Sequence, residues 1–129
     1  AVDDLSPLST MKQLEFLWLN KTPVSDISPL SNCPVKSLTL HKTNVKDLSP
    51  LARITTLERL HIAETPVTDL TPIKDLKLAR LIYTPKNITK GGQIPKQMKS
   101  LRELGTNFQN RMTPEVFWSL YEQGKFNEE

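Results

Sequence analysis

The chain has 129 residues, 37% of them hydrophobic and 24% charged, with a formal net charge of +3. That length suffices for one modest domain with its own core, and so small a charge does not by itself point to nucleic acid or an acidic membrane. No run of 18 apolar residues exists to span a bilayer, no leader is visible, and the one cysteine, Cys33, can form neither an internal disulfide nor a metal cluster.

A seven-residue phrase organises the chain from its start. It reads "VDDLSPL" at Val2, "VSDISPL" at Val24, "VKDLSPL" at Val45 and "VTDLTPI" at Val67, at spacings of 22, 21 and 22. Ahead of the later phrases come apolar triplets spaced L-x-x-L-x-L. These are Leu14, Leu17 and Leu19; Val35, Leu38 and Leu40; Leu57, Leu60 and Ile62; and Leu78, Leu81 and Tyr83, the last set preceding Ile88 with Ile82 out of register. The L-x-L alternation is the period of a strand with one buried face. Three residues after each of the first three triplets stands Thr22, Thr43 or Thr65. A hydroxyl there can satisfy backbone groups where the chain leaves the strand while its methyl packs.

The phrase then opens a short helical turn. Ser6, Ser28, Ser49 and Thr71 suit an N-cap, and the proline that follows each suits the next position, where its missing N–H costs nothing. Asp4, Asp26, Asp47 and Asp69, each two residues earlier, suit a turn bond or a helix N-terminus. One strand–turn–helical-turn unit cannot bury its own apolar edge, but stacked units can, with parallel strands roughly 4.8 Å apart on one face.

This pattern resembles a leucine-rich repeat, close to the short bacterial type with D-[LI]-S-P-L, over residues 1–88. The family usually has Asn where this chain has Thr22, Thr43 and Thr65, although Thr is common in the short type. Residues 89–129 are similar to the ends of arrays in planctomycete-like bacteria, where a helix, a last strand and a small helix with a Phe-Trp pair follow the repeats. Here those are the segment from Ile94 to Lys99, "LREL" at 101 and "PEVFWSL" at 114. The resemblance implies an α/β leucine-rich repeat solenoid with parallel strands on a concave face and a helical C-terminal cap. Arrays of that group often follow protein-kinase or membrane-anchored regions, and neither is present here.

The last segment reads the same way from its own residues. Leu101 and Leu104 repeat the strand spacing. In "MTPEVFWSLYEQGK", Thr113 suits the cap, Pro114 the first position, Glu115 the positive end and Gly124 the stop. Val116, Phe117, Leu120 and Tyr121 fall on one stripe with Trp118 at its edge, expected to pack over the last repeat; the competing reading is an aromatic docking patch. The chain begins mid-repeat, at Ala1, with no strand before the first phrase. Leu5 and Leu8 are therefore expected to be poorly covered, and the sequence to be a C-terminal fragment of a longer array.

The repeat also sets which residues look outward. They are Phe16, Trp18 and Asn20; Ser37, Thr39 and His41; Arg59, His61 and Ala63; and Arg80, Ile82 and Thr84. Phe16 and Trp18 have no structural duty there, and an exposed aromatic pair on a strand face is a typical protein anchor; packing against preceding repeats or each other is the other reading. Arg59 and Arg80, on adjacent strands, suit a bidentate grip on a carboxylate or phosphate, or else screen the sheet as solvated side chains. His41 and His61 lie on a diagonal of roughly 7 to 8 Å, and only Glu64 is placed to complete a metal site, so surface histidines are the expectation.

Lys74 to Arg102 carry eight basic residues against Asp75, but with one inward aromatic, Tyr83, they read as a solvated face rather than a nucleic-acid strip. No catalytic constellation appears. "KGGQIPK" lacks the order of a phosphate loop, and "NKT" at 20 and "NIT" at 87 match a glycosylation signal by chance. The expected function is a non-enzymatic module that holds a protein or peptide through Phe16, Trp18, His41, Arg59, His61 and Arg80, without a cofactor. The alternative is a structural spacer or cap of a larger kinase, receptor or surface protein. A cell-surface or periplasmic place would follow only from such an anchored parent.

Overall fold

The computed structural model describes residues 4–127. Ala1, Val2 and Asp3 of the first phrase, and Glu128 and Glu129, lie outside the described residues. Five parallel strands succeed one another in sheet order: β1 (Phe16–Trp18), β2 (Ser37–Thr39), β3 (Arg59–His61), β4 (Arg80–Ile82) and β5 (Glu103–Gly105). A sixth, β6 (Arg111–Met112), runs antiparallel to β5 and ends the sheet. Between strands the chain returns through short 3-10 turns at Ser6–Leu8, Ser28–Leu30, Ser49–Arg53 and Thr71–Ile73. Helices α1 (Ile94–Gln97) and α2 (Pro114–Glu122) follow.

Each of the five parallel strands has three residues and turns the leucine at its middle position inward. Those leucines stand in register, Leu17 beside Leu38, Leu38 beside Leu60, Leu60 beside Leu81 and Leu81 beside Leu104. From Leu38 onward all are buried. Every rung opens on one carbonyl shared by two donors. The C=O of Glu15 accepts the N–H groups of Lys36 and Ser37, that of Lys36 those of Glu58 and Arg59, that of Glu58 those of Ala79 and Arg80, and that of Ala79 those of Arg102 and Glu103. The ladder thus uses the backbone's own donors, and the sequence is left to supply volume inside it.

Where the chain leaves a strand it turns sharply. Lys21, Lys42 and Glu64 take left-handed φ values of 58°, 59° and 57°, a conformation that costs a non-glycine residue roughly 1–2 kcal/mol. The following threonine offsets that cost. The hydroxyl of Thr22 donates to the Leu19 C=O at 2.8 Å, that of Thr43 to Leu40 at 2.8 Å and that of Thr65 to Ile62 at 2.7 Å. Thr43 and Thr65 are buried, so their methyl groups join the core as expected.

The N-cap role expected of Ser6, Ser28, Ser49 and Thr71 falls to other residues. Each is already the first residue of its 3-10 turn, and no side-chain hydroxyl caps it. Instead its backbone N–H donates to the aspartate two residues earlier: Ser6 to Asp4, Ser28 to Asp26 and Ser49 to Asp47 at 2.9 Å, and Thr71 to Asp69 at 2.8 Å. These bonds hold the carboxyls of Asp4, Asp26 and Asp69 below the ordinary carboxylate range. The aspartate is therefore the turn-forming residue of the phrase, and the serine contributes its main chain.

One expectation at the N-terminal end needs correction. Leu5 is buried rather than poorly covered, because the 3-10 turn of the next repeat stacks on its own. Leu8 is half-buried, and its carbonyl lies 3.3 Å from the thiol of Cys33, which is buried.

At the other end the repeat changes form. Lys90 makes a parallel bridge to Asp69, and Gly91 follows with φ 78°. A Cβ on Gly91 would lie 2.9 Å from Ile94 Cδ1 and 3.0 Å from the Thr71 nitrogen, so only glycine fits this approach. Helix α2 then closes the core. Phe117 is fully buried, stacked on Phe126 at 4.7 Å and 5.8 Å from Tyr83. Trp118 is buried as well, edge-on to Phe117, and so is a core residue rather than a stripe edge. Val116, expected in the stripe, is exposed, because the buried face centres on Phe117 and Trp118, one residue further along. Gly124, with φ 76°, follows the helix, and its N–H bonds to the Tyr121 C=O.

Thr43→Val keeps shape and volume but removes a buried hydroxyl that serves the Leu40 carbonyl. Urea unfolding is expected to show a loss of about 1–2 kcal/mol for Thr43→Val and a smaller loss for Thr43→Ser, which retains the donor. Equal losses for the two variants would remove the hydroxyl from its assigned role.

Candidate functional site

The outward strand positions form a floor with a built wall. After β5 the chain makes a tight return through residues 106–110 into β6. Gly105 permits this return: a Cβ there would lie 2.8 Å from the Asn110 carbonyl oxygen and 3.1 Å from Arg111 Cα. The Asn107 side-chain oxygen accepts the Asn110 N–H at 2.8 Å and holds the turn. The loop carries Phe108 back over the strand face, where it remains 50% exposed. The Arg111 guanidinium lies 4.3 Å from its ring centre and that of Arg80 5.6 Å. The Arg111 Nε–H also donates to the Phe108 carbonyl.

A cleft of about 380 Å³ opens between this wall and β1, lined by Trp18, Thr39, His41, His61 and Phe108 among others. It adjoins a smaller depression of about 20 Å³ that includes Arg59, Arg80 and Ile82 and shares Thr39, His61 and Phe108 with it. Of the six residues expected to contact a partner, five line these two hollows. Phe16 lies beside them, 57% exposed, with the Arg59 guanidinium 5.8 Å from its ring centre. Among the described residues Trp18 is the most open of the large apolar side chains, at 76%.

Several outward residues behave differently from expectation. Ile82 is buried, because the chain after β5 folds back and Phe108 shares its hollow. Ala63 is buried too, since it already belongs to the turn, where its C=O accepts the Lys42 N–H. Arg80 does not join Arg59 in a common grip. Its Nε–H donates to Glu103 Oε1 at 2.9 Å, and Arg111 lies 3.7 Å from the same oxygen. One β5 carboxylate therefore holds both arginines that brace Phe108. Arg59, next to Arg80 in the sheet, has its Nε buried without an acceptor among the described residues.

The two histidine rings meet at a centroid distance of 4.9 Å, closer than the strand diagonal. The His41 Nε2 donates to Glu64 Oε2 at 2.8 Å, which takes up the carboxylate that would have completed a metal site. Among the described residues no group of three His, Cys, Asp or Glu could hold a metal ion. The His61 Nδ1 accepts the Ala63 N–H at 3.3 Å, which places its proton on Nε2. Burial pushes the His61 pKa down to about 4, aided by His41 and opposed by Glu64. The bond from His41 holds the Glu64 carboxyl below its ordinary value.

The wall is what sequence reasoning missed. The available signal was a lone Phe set among turn-forming residues in "GTNFQNR", after a glycine that closes a strand. The basic run from Lys74 to Arg102 is partly paired off, Arg80 with Glu103 and Lys96 with Glu122. Among the described residues no helix is long and apolar enough to cross a membrane.

No protein-family model and no curated protein matches the chain. Solved structures do. An internalin (InlF) from Listeria monocytogenes is 35% identical, with a TM-score of 0.68 over 80% of this chain. Internalin C2 (InlC2) from the same organism is 21% identical, with a TM-score of 0.64 over 81% of this chain. This chain spans 31% of the first structure and 57% of the second. The chain is a bacterial-type leucine-rich repeat solenoid.

The state of His61 gives a prediction with a definite sign. Its folded pKa lies below the unfolded value near 6.5, so between those values the unfolded chain binds the extra proton. Stability contributed by neutral His61 is complete above about pH 6.5 and is lost as pH falls towards 4. Urea midpoints at pH 7.0 and 5.0 are expected to fall further for the wild type than for His61→Gln. The same acid dependence in both would place the titration elsewhere.

Proposed function

We propose that this segment is a non-enzymatic binding module of the short D-[LI]-S-P-L type, which holds a protein or peptide partner on its strand face. The observation that carries the reading is Trp18, 76% exposed at one side of a 380 Å³ cleft whose opposite side is Phe108. Exposed aromatics around a concave hollow are the usual anchors of protein recognition. The sheet beneath them is fixed by backbone bonds, so little ordering opposes association. Phe16, Trp18, His41, Arg59, His61 and Arg80 form the proposed contact set, Arg80 acting through the wall it supports. On the same reading residues 1–88 are the repeats, and 89–129 a degenerate repeat with its capping helix.

A second reading rests on a different observation. The chain spans 31% of the longer internalin, and its sheet ends in a two-residue antiparallel strand, with α2 packed against the neighbouring β5. That arrangement suits a structural spacer or capping segment of a larger kinase, receptor or surface protein, with no ligand of its own.

The two readings separate in a display selection of random 12-residue peptides on the immobilised chain. The binding reading expects enriched peptides whose capture falls by at least about tenfold on Trp18→Ala, with circular dichroism unchanged. Enrichment that is indifferent to Trp18→Ala, or no enrichment at all, favours the spacer or capping segment.

A further inference from the structure

The strand face carries an unequal charge arrangement. Lys21, Arg59, Arg80 and Arg111 stand on or beside it, against Glu64 and Glu103. Both acids are already used, Glu64 by His41 and Glu103 by Arg80 and Arg111. The Arg111 Nε–H is satisfied by the Phe108 carbonyl as well. Arg59 is different. It is half-buried, and its Nε–H has lost water without gaining an acceptor among the described residues. The ring of Phe16 lies on one side of it and the depression shared with Phe108 on the other. A buried donor without an acceptor is costly, and a charged one more so. The depression beside it, about 20 Å³, has the room of one oxygen-sized group.

We propose that Arg59 is the recognition point for a carboxylate side chain, Asp or Glu, on the peptide held in the Trp18–Phe108 cleft. This rests on the strand face being a peptide-binding surface and adds which chemistry it selects. One carboxylate oxygen enters the depression and bonds the guanidinium, while an apolar neighbour of that residue occupies the larger hollow against Trp18 and Phe108. The two hollows share Thr39, His61 and Phe108, so one extended segment reaches both. Arg80 cannot take the same role, because Glu103 occupies it and would repel an incoming acid. Partial burial makes the Arg59 contact stronger than an exposed ion pair.

The probe is the set of 12-residue peptides selected on the wild-type chain. The expected result is enrichment of Asp or Glu near an aromatic or aliphatic residue. Affinity for such a peptide should fall at least about tenfold on Arg59→Gln and less than about twofold on Lys74→Gln, which removes an exposed charge near the 3-10 turn at Thr71–Ile73. Replacing the peptide's acid by its amide should cause the same loss on the wild type and none on Arg59→Gln. Peptides that need Trp18 but carry no acid, or acidic peptides indifferent to Arg59→Gln, would overturn the carboxylate assignment and leave the cleft reading standing. Failure to select any Trp18-dependent peptide would overturn both.

Discussion

The structure depends on one repeated constraint: a three-residue strand can bury its inward leucine only against the leucine of the next strand. Leu38, Leu60, Leu81 and Leu104 stand in a column because their strands pair in register, and the shared carbonyls of Glu15, Lys36, Glu58 and Ala79 hold that register. A strand pairing shifted by one residue would turn the column outward. The 21- and 22-residue spacing of the phrases is the length of chain needed to travel from one rung to the next. The left-handed turns at Lys21, Lys42 and Glu64 are strained at the point where each strand is left, and the buried threonine bonds stand directly after them.

That frame releases the outward positions from structural duty, and the face they form is uneven. Register pairs Phe16 with Ser37 and Trp18 with Thr39, so large aromatics at one end give way to small polar residues in the middle. The far side is raised again by Phe108, which Arg80 and Arg111 brace while Glu103 holds both arginines. The hollow thus arises from a gradient of side-chain size along a regular sheet together with one loop that folds back over it. Its electrostatics follow from who is paired: Glu103 engages both bracing arginines, Glu64 engages His41, and Arg59 is left with a donor unsatisfied among the described residues.

Much of this is legible in the sequence because repetition converts weak local signals into a strong one. No single L-x-L would define a strand, but four triplets in phase with four phrases define strands, faces and the inward Tyr83 together. What escaped has a common cause. The return of residues 106–110, the burial of Ile82 and the pairing of Arg80 with Glu103 are each contacts between positions that do not repeat, and periodicity carries no information about them. The division of labour between Asp and Ser in the phrase was hidden for a different reason. Both residues favour a turn start, and only geometry reveals that the aspartate side chain bonds the serine main chain. Val116 and Trp118 exchanged roles because a nine-residue helix has too few turns to set its buried face by pattern alone.

The central claim is that frame and reading face are separable. The direct measurement is urea unfolding of one variant in which the variable positions adopt the residues of their neighbour in the sheet: Phe16→Ser, Trp18→Thr and Arg59→Ser together. The account predicts one cooperative transition with an unchanged slope and a stability within about 1 kcal/mol of wild type, since none of the three side chains belongs to the leucine column. A broadened transition, or a loss of more than about 3 kcal/mol, would mean that these residues hold the repeats together and that the face is not free to be read.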